Sequence, residues 1–139
     1  ADESIEHEYY FQRFKGERSA TTTNAISYAA CSIAQGLRVA AILTATETGL
    51  SARMVSKHRP DPPIFATAVR SRTYRQLALV WGVIPALVEV MDSTDKMFEQ
   101  SVKVAREKGI VKQNDLVVIT AGVPIGISGS TNLIKVHKI

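Results

Sequence analysis

The chain has 139 residues, 45% of them hydrophobic and 22% charged, with a formal net charge of +4 and a single cysteine. That length predicts one domain, able to bury roughly two-thirds of its unfolded surface without a metal or disulfide staple. Cys31 cannot make an internal disulfide, no apolar run approaches the roughly 20 residues of a membrane span, and the acidic start ADESIEHEYY lacks the apolar core of a signal peptide; a cytoplasmic setting with no membrane partner is expected.

Residues 3–15 predict a polar, Glu-rich helix with Ile5, Tyr9 and Tyr10 as its apolar contacts. Residues 1–20 therefore stand apart as a polar helix and linker, and residues 21–139 form the domain. Thr22 or Thr23 can cap the next helix. Its apolar positions Ala25, Ile26, Ala29, Ala30, Ile33 and Leu37 recur at helical spacing, and Gly36 suits its end. VAAILT (39–44) is apolar throughout and too short for a helix, which predicts a strand covered on both faces. A short helix is expected over Ser51–Lys57. PIFATAV (63–69) predicts the second strand, and Thr73 and Gln76 have capping-box spacing at the head of a helix over 73–80. GVIPALV (82–88) predicts a third strand, short or missing a ladder bond at Pro85. A long helix follows from Ser93 or Thr94, through Met97, Phe98, Val102 and Ala105, to a stop at Gly109. DLVVITAG (115–122) and NLIKVHKI (132–139) complete the set. Alternating helices and apolar strands predict an α/β fold: a three-layer α/β/α sandwich around a mainly parallel five-stranded sheet, its last strand at an edge.

In such a sheet, ligands sit beyond the carboxyl ends of the strands. The stretch TATETGLS lies there, with Thr44, Thr46, Glu47, Thr48, Gly49 and Ser51 ahead of a short helix. Free N–H groups, a helix dipole and hydroxyl donors suit a phosphate, and Gly49 permits close approach and positive φ. The plainer reading is a turn and helix cap. A second loop, AGVPIGISGSTN, brings Gly126, Ser128, Gly129, Ser130 and Thr131, and two such loops on one sheet edge would form a cradle. Residues 50–80 carry a local excess of five positive charges, which suggests an anionic partner or else a solvated basic face. No nucleic-acid motif is present, and the cations are not interleaved with stacking aromatics. Catalytic constellations are thin. His7, His58 and His137 have no metal-ligand spacing. His58 either adds charge to an anion site or is simply exposed, and His137 reads as a cross-strand partner. Cys31 reads as core filler and Trp81 as packing. Glu47, the one acid in its loop, disfavours a multiply charged ligand unless it points away or answers Arg53.

The segments TETGLSA with SKHRP, RQLALVWGV before Pro85, and VVITAGVP with SGSTNLIKV occur in one order along the chain. Together they resemble the C-terminal domain of pyruvate kinase in its bacterial form, from about Thr21 to Ile139. The resemblance implies a regulatory and assembly module without a catalytic site of its own. The family's catalytic barrel transfers phosphoryl from phosphoenolpyruvate to ADP with Mg²⁺ and K⁺; this chain lacks that barrel, so no cofactor is expected here. It further implies that a phosphorylated effector sits against residues 46–51, with Thr44 at the mouth and Gly126 through Thr131 closing over it. Eukaryotic members activated by fructose 1,6-bisphosphate tend to carry Trp and Arg in the closing loop. VPIGISGST has neither, so AMP or a sugar monophosphate is the expected effector. The family assembles as a tetramer, and an edge strand invites pairing. Self-association is therefore expected through Asn132, Leu133, Ile134, Lys135, Val136 and His137; the competing reading is an edge kept solitary by Lys135, Lys138 and His137. The rivals are a free-standing small enzyme acting on a phosphorylated metabolite, with Glu47 or His58 as its acid or base, and a purely structural assembly domain. The charged start at Ala1, without Met, suggests a piece of a longer protein.

Overall fold

The computed structural model describes residues 22–122 and 131–139. The elements run α1 (Thr22–Leu37), β1 (Ala41–Thr46), α2 (Leu50–Lys57), β2 (Ile64–Ala68), α3 (Ser71–Leu77), β3 (Val83–Leu87), α4 (Thr94–Glu107), β4 (Leu116–Gly122) and β5 (Thr131–Lys138). The helix expected over 3–15, the division at residue 20 and the loop residues Gly126 to Ser130 lie outside the described residues.

The strands form one sheet in the order β3-β2-β1-β4-β5. β1 pairs in parallel with β2 and β4, β2 in parallel with β3, and β5 antiparallel with β4. β1, β2 and β4 are apolar runs because both of their faces are covered: Ile42, Leu43, Ile64, Phe65, Val117 and Val118 are all fully buried. Only eight residues separate β4 from β5. A parallel crossover needs a dozen or more, so the last strand folds back antiparallel and ends the sheet. The expected fold class and the edge position of the last strand hold. Pro85 also sits as expected, on the five-residue β3 at the opposite edge, where its missing donor is tolerated.

Side-chain alternation divides the core into two layers. Ile42, Ile64 and Val118 pack with Ala30, Cys31 and Ala34 of α1 and Val55 of α2, while Ala66 and Ala68 pack with Ala52 and Leu77 of α3. On the other side Leu43, Phe65, Val117, Ile119 and Ala121 pack with Phe98 and Ala105 of α4. Cys31 is core, as expected; its thiol reaches the Val55 carbonyl at 3.6 Å and burial pushes its pKa up. His137 is the cross-strand partner of Val117. α4 starts as expected, with Ser93 Oγ accepting from the Lys96 N–H at 3.2 Å, and the expected stop, Gly109, follows its C-cap Lys108 with φ 75°.

Several expectations are corrected. Thr22 and Thr23 lie inside the first turn of α1 rather than capping it, and Thr23 is buried. Gly36 is not the stop either: α1 continues to Leu37, and Arg38 takes the left-handed turn at φ 53°. The first strand starts at Ala41, two residues later than its apolar run, because Val39 and Ala40 belong to the connection. The capping box at Thr73 and Gln76 does not form. α3 begins at Ser71, its N-cap Arg70 makes no side-chain cap bond, and the Thr73 hydroxyl donates to the Glu47 carbonyl at 3.2 Å instead. His58 is not exposed: it is buried at the C-cap of α2, edge-on to Tyr28.

Candidate functional site

The strand order turns between β1 and β4. From β1 the chain steps to β2 and β3, then returns past β1 to β4 on its far side. The loops leaving β1 and β4 start side by side at this switch point, where open α/β sheets take their ligands.

The loop after β1 is built by Gly49. It takes φ 88°, and a Cβ there would stand 3.2 Å from Leu77 Cδ2 and 3.4 Å from Arg53 Nη1. Both the conformation and the space call for glycine. Its N–H donates to Thr46 Oγ1 at 2.8 Å, which closes the turn into α2. The first bond within α2 runs from the Arg53 N–H to the Gly49 carbonyl at 3.0 Å. Helix geometry therefore leaves the N–H groups of Leu50, Ser51 and Ala52 without intrahelical acceptors.

The sequence-derived residues separate on inspection. Ser51 and Thr131 are brought together: their hydroxyls hydrogen-bond to each other, joining the head of α2 to the first residue of β5. Both are buried. Thr46 serves the turn. Thr48 is half-buried, and its carbonyl accepts from Arg53 Nη2 at 3.4 Å. Thr44 is not at a mouth; it is fully buried inside β1, in register with Thr120 of β4. Glu47 answers Arg70, not Arg53, at 3.3 Å. Asn132 to His137 all lie on the edge strand, with Lys135 and Val136 exposed and Lys135 Nζ 5.6 Å from the centre of the Phe98 ring.

Sequence reasoning missed the part played by α3. Arg70, Thr73 and Leu77 each touch the 46–51 loop, by ion pair, hydroxyl and packing. The basic excess was visible in the sequence. Which cations turn toward the loop depends on β2 lying beside β1, which no local pattern states. Trp81 is 44% exposed, with the Arg59 guanidinium 4.7 Å above its ring, and its carbonyl accepts from Ser56 Oγ at 2.5 Å. A separate groove of about 720 Å³ lies between α4 and β5, floored by Phe98, Val102 and Ile119, on the other face of the sheet.

The sequence profile described as "Pyruvate kinase, alpha/beta domain" matches residues 24–137. The chain belongs to that family. It is 40% identical to a pyruvate kinase of Clostridium acetobutylicum over 139 residues, which is 100% of this chain and 29% of that protein. It is 45% identical over 128 residues to one from Lactobacillus delbrueckii subsp. bulgaricus, covering 92% of this chain and 22% of the relative. It is 44% identical over 138 residues to one from Geobacillus stearothermophilus, covering 99% and 24%. The chain thus spans between 22% and 29% of the length of these relatives, and corresponds to the α/β domain of a pyruvate kinase. Among the described residues no helix is long and apolar enough to cross a membrane.

Proposed function

We propose that this chain is the regulatory and assembly portion of a pyruvate kinase, and that it binds a phosphorylated effector between loop 46–51 and the loop that ends at Thr131. The observation that carries the reading is the Ser51–Thr131 hydroxyl pair, which spans the switch point between β1 and β4. A phosphate at this spot meets the N–H groups of residues 50–52 and the positive end of α2. Arg53 and Arg70 stand close by, while Glu47 keeps the local charge modest. That balance favours a monophosphate, AMP or a sugar monophosphate, over a bisphosphate. Because Ser51 and Thr131 satisfy each other, a ligand entering between them must exchange that bond for its own. The exchange offers a way to favour one loop arrangement over another, with a coupling of roughly 1–3 kcal/mol as the ordinary range.

The remainder of the reading concerns the longer protein. The full subunit would convert phosphoenolpyruvate and ADP to pyruvate and ATP in its barrel, and the Mg²⁺ and K⁺ of that reaction belong there. β5 would pair with its twin in a tetramer. The free-standing enzyme reading loses its acid–base candidates: His58 is buried at the far end of α2, and Glu47 is held by Arg70.

Calorimetric titration with AMP, glucose 6-phosphate and inorganic phosphate tests the effector site. Binding in the millimolar range or tighter is expected, lost when Thr48→Ala and Ser51→Ala are combined. No heat from any of the three, or binding indifferent to the double substitution, rejects the site.

A further inference from the structure

Most buried hydroxyls in this domain have found protein partners. Thr46 takes the Gly49 N–H, Ser51 and Thr131 bond each other, and Thr67 bonds Ser101 at 3.4 Å. Among the described residues three have not: Ser27 on α1, Thr44 on β1 and Thr120 on β4, each 0% exposed. A hydroxyl taken out of water without a replacement bond is costly, so three in one fold call for an explanation.

Their placement supplies it. Thr44 and Thr120 are register partners in the parallel β1–β4 pair. Neighbouring strands lie about 4.8 Å apart, and partners in register point to the same face. That face is the one under α1, because Ile42 and Val118, two residues earlier in each strand, pack with Ala30, Cys31 and Ala34. α1 reaches β1 through only the three residues between Leu37 and Ala41, so it runs antiparallel to the strand. Ser27 lies two turns before Ala34, a rise of about 10 Å, toward the carboxyl end of the sheet. Thr44 lies about 6.6 Å beyond Ile42 in the same direction. Ser27 shares the buried stripe of α1 with Ala34 and so descends toward the two threonines.

We propose that Ser27, Thr44 and Thr120 together hold an internal water molecule between α1 and the β1–β4 pair. Water suits the donor set: three neutral hydroxyls can each give or take one bond, and a buried water typically makes about three. An anion or cation would lack a countercharge, since the surrounding cluster of Ala30, Ala34, Ile42 and Val118 is apolar. The site lies two residues before Thr46 and two before Gly122, where the strands end and the two candidate loops leave. The water would therefore tie α1 to the roots of both loops. The inference does not depend on effector binding.

Thermal unfolding of Thr44→Val, Thr120→Val and the double variant, in the full chain, tests the proposal. Valine keeps the shape and favours strands, so a dry slot would gain from it. With a shared water each single variant lowers the midpoint by roughly 2–6 °C. The double falls little further than the worse single, because both substitutions disrupt one water. A midpoint that stays or rises in either single, or losses that add in full, overturns the proposal. Crystallography gives the second reading: an ordered oxygen within about 3.2 Å of both Thr44 Oγ1 and Thr120 Oγ1 is expected. Well-ordered side chains with no density between them overturn it.

Discussion

The two faces of the central sheet are built from the same strands and solve different problems. The core under α4 is mostly hydrocarbon: Leu43, Phe65, Phe98, Val117 and Ile119 interlock there, with Thr67 and Ser101 as a buried polar pair. The side under α1, α2 and α3 is apolar near the start of β1 and turns polar toward its end, where Ser27, Thr44, Thr46, Ser51, Thr120 and Thr131 are all buried. One face holds the sheet mainly by packing. The other gives up some packing to carry hydroxyls and helix N–H groups to the rim where two loops meet. The difference teaches that stability and ligand chemistry in this domain reside on opposite sides of the same strands.

The largest effect should come from breaking the dry face. Phe65 is fully buried among Leu43, Phe98 and Ile119. Phe65→Ala should cost about 3–5 kcal/mol, the transfer term plus the cavity it leaves. Urea unfolding measures it through the midpoint. A loss no greater than that of Thr44→Val would erase the contrast between the faces.

A middle-sized effect belongs to the polar rim. Gly49→Ala forces a side chain into φ 88° with Leu77 only 3.2 Å away. A non-glycine residue in that region costs of order 1–3 kcal/mol. The same substitution should loosen the turn from Thr46 into α2, so amide exchange at residues 50–53 should rise more than exchange at α4. Uniform acceleration across both helices would mean that the rim is not a separate unit.

This contrast also explains how far the sequence could be read. The dry face was legible because PIFATAV and DLVVITAG are continuous apolar runs, and a chain of this length must cover both sides of such strands. Ser93 and Gly109 marked the ends of α4 because a side-chain cap and a left-handed stop act locally. The polar rim was legible only as a collection of residue types. Thr46, Ser51 and Thr131 stood out, but nothing local says that Thr46 is spent on Gly49 or that Ser51 meets Thr131 from 80 positions away. Thr73 misled for the same reason: its spacing to Gln76 mimics a capping box, while its hydroxyl serves Glu47 on another loop. Arg70 was counted as charge, and only the β1–β2 register aims it at Glu47.

A smaller effect tests whether the dry face needs the Thr67–Ser101 pair. Thr67 Oγ1 and Ser101 Oγ join β2 to α4 at 3.4 Å, a long bond. Replacing both partners removes the bond and both desolvated groups at once, which can be near neutral, whereas removing one orphans the other. Ser101→Ala alone should cost about 1 kcal/mol, and Thr67→Val with Ser101→Ala less than that. Denaturant midpoints decide the order; a double variant worse than the single would make the bond an essential clamp.

The smallest effect is nil at neutral pH and appears only in alkali. Cys31 is buried under Val55, and desolvation raises its pKa above the thiol's ordinary value of 9.0. Below that value the thiol is protonated in both folded and unfolded chains and contributes no pH dependence. Above it the unfolded chain sheds a proton that the folded chain retains, so stability falls as pH rises. Cys31→Ala should flatten that alkaline slope while costing some packing at every pH. In the native state the thiol should also resist labelling, reacting at the rate of the opening that exposes α1. Labelling as fast as in unfolded chain would mean that α1 separates readily from the sheet. The polar face would then be the weaker of the two by more than its hydroxyls account for.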